Sequence, residues 1–501
     1  MDTVSSLFQG FSVALRFDNL IVVFAGCFLG TLVGVLPGIG PVGAISILLP
    51  ITFQMEPAGA IIMLAGIYYG VMYAGSTTSI LINVPGETAS VVTCLDGYQM
   101  ARQGRAGPAL GIAAFGSFIA GTIGLIGLQL IAAPLSRTAL KFGPPEYFAI
   151  MTLGFVFMTY LSHGSRIKAA IMVFAGLLLS SVGLDPITSE QRMTLGIPNL
   201  FEGIGVAPLA MGLFGVAEVL KNFETLASGN VVRVKIKNLF PTKLDWLQAR
   251  WAIIRGTCVG FFLGILPGGG PVIATFVAYG VEKWAGRNPD TMGTGRIEGV
   301  AAPESANNAA ASTSFIPLLT LGIPPNPVLA VLFGAFLIHG ISPGPLLIRD
   351  HPDIFWGVVS SMYLGNVVLL VLNVPLIPLW VQVLRIPGKV LYPLVLLFCV
   401  LGAYGINNNV FDIFVMLAFG IAGYLLNKKG YEAPPLILAF VLGPLFEVNL
   451  RRSLLISQGS FSIFITRPIA LGVLICCFLL AIVPLYESWR RGKPRSRRLP
   501  T

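Results

Sequence analysis

Six long runs of apolar residues, almost free of charged side chains, constrain what this chain can fold into. A helix needs about 20 apolar residues to cross the hydrocarbon core of a bilayer, and several runs reach that length. Charged residues make up 11% of the 501 residues, whereas soluble proteins carry about 25%. We therefore expect an all-α polytopic membrane protein surrounded by the lipid bilayer, rather than a soluble protein with buried helices. The runs are Asn19–Leu36, Ala58–Ala74, Leu110–Leu135, Trp356–Leu384, Val390–Tyr404 and Pro468–Pro484.

Basic residues gather in three groups, and their placement explains the net charge of +10. The groups lie in Lys221–Arg255, at Lys428 and Lys429, and in Arg490–Arg498. Short loops rich in Lys and Arg remain in the cytoplasm, so all three regions are expected there. Contact with anionic lipid accounts for the charge, and no nucleic acid is expected as a partner.

No cleavable signal peptide is expected at the amino terminus. The first twenty residues mix Asp2, Arg16 and Asp18 with apolar residues, and they lack the basic start, short apolar run and cleavage site of a signal peptide. The first span is therefore expected to remain in the membrane. The six cysteines are scattered, mostly within apolar runs, which is typical of small core residues rather than metal ligands.

One segment of thirteen residues occurs twice. Gly30–Val42 reads GTLVGVLPGIGPV and Gly260–Val272 reads GFFLGILPGGGPV, with proline and glycine in register. A second, looser match pairs Gly75–Gly86 with Ala311–Pro325. The sequence thus predicts two related transmembrane repeats, residues 1–220 and 251–485. A cytoplasmic linker segment (221–250) would separate them, and a basic cytoplasmic tail (486–501) would follow.

The distribution of positive charge predicts that the two repeats have inverted topology. A basic segment ending at Arg255 precedes the second copy, whereas only Arg16 precedes the first. The loop after the first copy carries Arg102 and Arg105, while the charges near His351 almost cancel. Because positive loops remain in the cytoplasm, opposite orientations fit this distribution better than parallel ones.

Each repeat contains a segment that cannot form a continuous helix. Leu36–Pro41 and Leu266–Pro271 each combine two prolines with at least two glycines. Proline removes a backbone hydrogen-bond donor, and unpaired backbone groups facing lipid are costly. Such a segment must be covered by protein or line a wet cavity, where freed carbonyls can bind a cation and a helix amino terminus can face an anion.

A polar stretch and a turn rich in Pro and Gly follow each broken helix. Ser76–Asn83 precedes Pro85-Gly86, and Asn307–Thr320 precedes Pro324-Pro325. We interpret both as re-entrant hairpins that enter the membrane and turn at these tips. Their neutral oxygens suit a cation of low charge such as Na+. The alternative is that these small polar residues only pack helices together, which their recurrence in both halves makes less attractive.

Six segments, in this order, carry a resemblance to a known family: Gly34–Pro41, Tyr69–Ser79, Asn83–Glu87, Gly264–Pro271, Pro303–Asn308 and Leu321–Asn326. Through them, and over essentially the whole chain, the sequence resembles the large membrane subunit of the bacterial tripartite tricarboxylate transporters (TctA-like). Six matched segments in one order are a specific signal, unlike any one of them.

The resemblance implies a multi-pass protein of the bacterial inner membrane that acts in transport and is not an enzyme. It implies a secondary transporter that imports tricarboxylates such as citrate, or related carboxylates, by sodium symport, with Na+ as coupling ion and no cofactor. The implied partners are a small four-helix membrane subunit and a periplasmic solute-binding protein. An elevator-type movement of the hairpin region is also implied. A passive anion channel and an intramembrane enzyme remain the alternatives.

The polar stretches and the resemblance together give two sets of candidate site residues. A carboxylate substrate is expected at the hairpins, with Ser76, Thr77, Thr78, Asn83, Pro85, Gly86, Asn307, Asn308, Ser312, Pro324 and Pro325. Na+ is expected near the broken helices, with Gly38, Gly40, Ser79, Gly268, Gly270, Thr313 and Thr320. Glu87 and Glu304 lie beside the polar stretches, and the sequence leaves open whether they contact the transport pathway.

Overall fold

Helices account for about 80% of the chain. The computed structural model of the protein describes residues 3–36, 39–161, 165–225, 239–266, 268, 270–286, 289–383 and 388–491. Within them one short antiparallel ladder pairs β1 (Gly183–Leu184) with β2 (Gln191–Arg192). The expected all-α polytopic membrane protein is confirmed.

Among its described residues the first half contains ten α-helices, and a π-helical turn, Met211–Val216, joins the last two of them. Shorter 3₁₀ turns cover Leu49–Thr52, Thr88–Val91 and Pro198–Leu200. The helices are α1 (Thr3–Ala14), α2 (Phe17–Val35), α3 (Gly40–Leu48), α4 (Pro57–Ile82), α5 (Thr93–Arg102), α6 (Ala106–Ala139), α7 (Pro144–Leu161), α8 (Arg166–Ser180), α9 (Val206–Ala210) and α10 (Ala217–Thr225).

The second half contains the remaining helices and a 3₁₀ turn at Pro289–Thr291. They are α11 (Lys243–Ile265), α12 (Gly270–Ala285), α13 (Glu298–Thr313), α14 (Phe315–Leu321), α15 (Pro327–Ile338), α16 (Leu347–Asp350), α17 (Pro352–Asn373), α18 (Ile377–Val383), α19 (Gly388–Asn407), α20 (Val410–Lys428), α21 (Ala433–Ile456), α22 (Ile463–Thr466) and α23 (Pro468–Arg491).

Six of the described helices are long and apolar enough to cross a membrane: α2, α4, α6, α17, α20 and α21. The first four contain most of four predicted apolar runs, and the other two predicted runs lie in α19 and α23, whose apolar parts are shorter. The predicted runs did not include α20 and α21, whose apolar sequences are bounded by Asp412 near the start of α20 and by Glu447 and Arg451 near the end of α21.

The predicted linker 221–250 overlaps helices at both of its ends. Helix α10 continues to Thr225, and α11 begins at Lys243. Thr242 caps α11: its hydroxyl oxygen accepts from Asp245 N (3.2 Å), and the Asp245 carboxylate accepts from Thr242 N (2.9 Å). Residues 226–238 of the linker and 492–501 of the predicted tail lie outside the described residues, so these domain boundaries stay predictions.

Two helix pairs pack backbone against backbone through glycines four residues apart. On α2, Gly26, Gly30 and Gly34 lie against Met63, Ile67 and Val71 of α4; on α11, Gly256, Gly260 and Gly264 lie against Ala302, Ala306 and Ala310 of α13. A Cβ at Gly30 would lie 2.3 Å from Ile67 O, and one at Gly260 would lie 2.2 Å from Ala306 O. Glycine lets these helices approach closely, and Gly30 and Gly260 hold the same position in the repeated segment.

Both repeated segments interrupt a helix. Helix α2 ends at Val35 and α3 begins at Gly40, while α11 ends at Ile265 and α12 begins at Gly270. Between α11 and α12, Gly268 has a φ of +80°, a left-handed backbone that glycine adopts readily. Pro37, Gly38, Pro267 and Gly269 lie outside the described residues.

Helices and turns of each half contact those of the other half around one central region. Helix α3 of the first half contacts α15 of the second, and α12 of the second half contacts the turn Thr88–Val91 of the first. In the same way, α6 packs against α13 and α17 packs against α4. The four helices α4, α6, α13 and α17 therefore meet in the interior, where polar side chains from both halves come together.

Candidate functional site

The first predicted hairpin tip folds back onto the helices of its own half. Helix α4 ends at Asn83, whose φ of +58° is left-handed. Gly86 N then donates to Gly75 O at 3.3 Å, and a Cβ at Gly86 would lie 2.4 Å from Gly34 O. The tip is thus packed on α4 and on the end of α2, directly before the first helix break.

The second tip has an equivalent arrangement. Helix α14 ends at Gly322, with a φ of +69°. Pro325 O accepts from Gly268 N at 2.7 Å, so this tip also contacts the broken segment of its own half. Asn326 Oδ1 accepts from Leu329 N at 3.0 Å and thereby caps α15.

The arms of the two hairpins differ in length. The first hairpin has a long arm, α4, of 26 residues and a return arm, α5, of 10 residues. The second has α13 and α14, of 16 and 7 residues, and returns through α15, of 12 residues. The 26 residues of α4 suffice to cross a membrane, so the re-entrant character of this hairpin stays a prediction.

Most hydroxyls of the predicted site donate within their own helices. Ser76 donates to Tyr73 O (2.8 Å), while Thr78 and Ser79 both donate to Gly75 O (3.1 and 3.0 Å). In the second half, Thr313 donates to Ala309 O (3.0 Å) and Thr320 donates to Ile316 O (2.6 Å). Ser76, Thr77, Thr78 and Ser79 are all buried. In this arrangement the bonded hydroxyls offer lone pairs rather than protons to a ligand.

A small cavity lies where the four central helices meet. The Tyr73 hydroxyl donates to Asn366 Oδ1 across it, and Asn366 Nδ2 donates to Phe118 O and Thr122 Oγ1, both at 2.9 Å. The cavity has a volume of about 10 Å³, which is room for roughly one water molecule. It is lined by Tyr69, Tyr73, Gly121, Leu125, Asn308, Ser312, Met362 and Asn366.

Two asparagines of α13 connect this helix to the first half. Asn307 Nδ2 donates to Met72 O and to Glu87 Oε1, both at 3.3 Å. Asn308 Nδ2 donates to Ser117 Oγ at 2.6 Å and to Glu304 O at 3.1 Å. Both side chains are buried, so they hold the second hairpin arm against α4 and α6.

Glu87 and Glu304, whose role the sequence left open, are buried at 4% and 1% exposure. The donors to the Glu87 carboxylate are Ala89 N, Ser90 N and Asn307, and Thr93 donates to Glu304 Oε1. No ion pair formed by the described residues includes either carboxylate. Buried acidic groups inside a membrane protein are functional-site candidates by default, so this region is a candidate site.

A third buried carboxylate, Asp96 on α5, joins the first hairpin to the second half. Its oxygens accept from Gly293 N (2.9 Å), Gly295 N (2.9 Å), Arg296 N (2.7 Å) and Tyr279 Oη (2.9 Å). The side chain is fully buried and its acceptors are satisfied. Asp96 therefore fixes the return arm of the first hairpin to the loop that precedes α13.

The structure divides the predicted site residues among three places. Pro85 and Gly86 lie in the first tip, whereas Pro324, Pro325, Gly268 and Gly270 lie at the second tip and its helix break. Asn307, Asn308 and Ser312 lie at the centre. Asn83 is exposed, and open space surrounds a Cβ placed at Gly40. Gly38 lies outside the described residues.

Sequence reasoning missed Tyr69, Tyr73 and Asn366 as residues of the centre. All three lie on long apolar helices, α4 and α17. Isolated polar side chains in such helices generally face the protein interior or a cavity. That signal was present for Asn366 in the run Trp356–Leu384, but nothing in the sequence paired it with Tyr73.

Comparisons with known proteins agree over most of the chain. The model of the family described as "Tripartite tricarboxylate transporter TctA family" matches residues 20–438. An uncharacterized 52.8 kDa protein in the TAR-I ttuC' 3' region of Agrobacterium vitis is 50% identical over 493 residues, which cover 98% of each chain. An uncharacterized protein in the TAR-II ttuC' 3' region of the same organism is 53% identical over 234 residues, 46% of this chain and 97% of that protein. No solved structure matches the chain significantly.

Proposed function

This chain belongs to the tripartite tricarboxylate transporter TctA family, and from that premise we propose that it is the large membrane subunit of a tripartite secondary transporter. It imports tricarboxylates such as citrate, or related carboxylates, across the bacterial inner membrane, driven by a Na+ gradient. A periplasmic solute-binding protein delivers the solute, and a small four-helix membrane subunit completes the complex. The family is a transporter component and not an enzyme family.

The observation that carries this proposal is the family match over residues 20–438, which includes both helix breaks and both tips. Contacts between the halves, of α3 with α15 and of α12 with Thr88–Val91, support two repeats of inverted topology. Broken helices that face each other across a midplane site are the usual architecture of such transporters. Movement of the hairpin region in an elevator-type cycle is part of the proposal.

We assign one carboxylate group of the transported solute to the central cavity, which has room for about one water molecule in this structure and must widen, by separation of the surrounding helices, to admit the solute. The Tyr69 hydroxyl is buried and lies within hydrogen-bond reach of Ser312. A hydroxyl both donates and accepts, so either side chain can turn to donate to a carboxylate oxygen. Tyr69 and Ser312 both line the cavity, so one solute carboxylate placed there would contact groups from both halves.

Uptake into vesicles tests the proposed function. The vesicles contain this chain and the small subunit, the solute-binding protein is added outside, and labelled citrate or smaller dicarboxylates are supplied. Accumulation that requires both an inward Na+ gradient and the binding protein is the expected result. Downhill equilibration that neither affects would indicate a passive channel and overturn the proposal.

Two variants test the assignment of the cavity. Tyr69→Phe and Ser312→Ala each remove one hydroxyl from the lining, and uptake should fall about tenfold, the effect of roughly 1.4 kcal/mol of lost binding. Ser453→Ala is the matched control, because Ser453 is also buried and donates to its own helix at Asn449 O (2.7 Å) but does not line the cavity. If all three variants take up the solute equally, the assignment of the solute to this cavity is wrong.

A further inference from the structure

Three buried oxygens within one turn of α13 lack hydrogen-bond donors. They are Glu304 Oε2, Asn307 Oδ1 and Asn308 Oδ1, and each is without a partner within the described residues. The three side chains are at most 1% exposed. Asn307 and Asn308 follow Glu304 by three and four positions, so each of them is a neighbour of Glu304 on the helix surface, and we call the three oxygens the acceptor cluster.

The amide orientations that create this cluster are fixed by their surroundings. Asn307 Nδ2 donates to Met72 O, and Asn308 Nδ2 donates to Glu304 O. A backbone carbonyl can only accept. Turning either amide around would place oxygen against oxygen, so the unpaired atoms are the oxygens and not the NH2 groups.

The cluster has no protein counter-charge among the described residues. Glu304 belongs to it, and Glu87 lies next to it through its hydrogen bond with Asn307. The donors to both carboxylates are neutral groups. A buried acceptor without a donor costs about 1–3 kcal/mol, and a buried charge without a partner costs more. An anionic substrate would add further acceptors, whereas a cation could take these unpaired oxygens as its ligands.

We propose that the acceptor cluster, Glu304 Oε2 with Asn307 Oδ1 and Asn308 Oδ1, binds a monovalent alkali cation, with Na+ as the occupant. Carboxylate and amide oxygens are hard ligands that suit such ions. One direct carboxylate matches a single positive charge. This site differs from the Na+ positions predicted at the helix breaks, and it changes the predicted role of Asn307 and Asn308 from substrate contacts to cation ligands.

The location explains how the cation could influence the solute. Asn308 is both a member of the cluster and part of the cavity lining, so a bound cation would lie beside the solute carboxylate. Asn307 connects the cluster to Glu87 at the first hairpin tip. This step rests on the proposed function, because it makes the cluster the site of the coupling ion.

Binding of labelled Na+ to the purified chain tests the site without transport. Glu304→Gln keeps the shape and the bond with Thr93 but removes the charge, and Na+ affinity should fall more than about tenfold. Glu298→Gln is the matched control: it removes the same charge from the same helix, near its first turn, where Glu298 pairs with Arg296 at 2.6 Å. Its affinity for Na+ should equal that of the unchanged protein.

A second readout keeps the test decisive if a variant binds poorly for structural reasons. Na+ that binds only the folded state raises the unfolding temperature, so NaCl should stabilise the unchanged protein and Glu298→Gln, relative to choline chloride, but not Glu304→Gln. Equal Na+ affinity in Glu304→Gln would overturn the proposal, as would stabilisation by acid in place of Na+, since the occupant would then be a proton.

The two proposals fail in different ways. If uptake requires Na+ while Glu304→Gln binds it normally, the acceptor cluster is not the cation site and the proposed function stands. If Na+ binding depends on Glu304 but uptake does not require a Na+ gradient, the cation site stands and Na+-driven transport is refuted.

Discussion

Adding a single methyl group at Gly260 should separate two helices that now touch through their backbones. The Cβ of Gly260→Ala would lie 2.2 Å from Ala306 O and 2.8 Å from its Cα, whereas ordinary contacts begin at 3.4 Å. Helices α11 and α13 would have to move apart by 3.4 minus 2.2, or 1.2 Å. Overpacking of this kind costs about 1–3 kcal/mol, and the tight contacts of Gly256 and Gly264 on either side oppose the movement.

The control is another glycine inside a helix, one with open space around it. A Cβ at Gly280, on α12, meets nothing within 4 Å. Gly280→Ala should gain up to about 1 kcal/mol from helix propensity, and Gly260→Ala has the same gain before the clash is counted. The difference in the free energy of unfolding between the two variants therefore measures the clash alone, and it should be about 1–3 kcal/mol.

Unfolding in detergent, followed by intrinsic fluorescence or by the loss of the monodisperse peak, measures this difference. Gly30→Ala, whose Cβ would lie 2.3 Å from Ile67 O, should behave like Gly260→Ala, because the two glycines hold equivalent positions. If both variants unfold at the temperature of Gly280→Ala, the helix pairs do not depend on glycine. The inference that the repeated segment encodes close helix packing would then be wrong.

Two further predictions concern carboxylates outside the centre. Asp96→Ala removes the acceptor of three backbone N–H groups, those of buried Gly295 and of half-buried Gly293 and Arg296. Since a buried unpaired group costs about 1–3 kcal/mol, the unfolding temperature of Asp96→Ala should fall below that of Asp290→Ala, a change at an exposed aspartate before the same loop; equal temperatures would show that Asp96 does not join the halves. The N–H groups of Thr188 and Ile187 and the Arg451 guanidinium lower the pKa of Asp185. A carboxylate with a lowered pKa stabilises the fold at every pH above the ordinary value of about 3.9, and this stabilisation is lost only in stronger acid. Asp185→Asn should therefore reduce the hydrogen-exchange protection of residues 183–192 equally at pH 5 and pH 8. A loss confined to pH 8 would contradict this assignment.

The helix breaks and turns could be read from the sequence because they are local. Proline at positions 37 and 267 removes backbone donors, and the breaks occur between Val35 and Gly40 and between Ile265 and Gly270. The tips follow the same rule, since Asn83 and Gly322 adopt the left-handed backbone that ends α4 and α14. Asparagine and glycine tolerate that conformation.

The central site could be predicted only in part. The polar residues of α13 were identified because they stand out in an apolar sequence, yet their separate roles were not. The orphan oxygens of Asn307 and Asn308 exist because Met72 O and Glu304 O accept from the amide groups. That choice depends on neighbouring backbone atoms, which the composition of a single helix does not reveal.

The sequence by itself determined that the chain lies in a membrane, where four of the six described membrane-spanning helices lie, and where helices break, because apolar content, proline and glycine act through the residues next to them. Tertiary structure alone decided that Tyr73 meets Asn366, 293 positions away, and that Asp96 meets Gly295, 199 positions away. Such meetings result from many weak packing contacts summed over whole helices. The cavity and the acceptor cluster are products of that sum, so they become visible only when the helices are assembled.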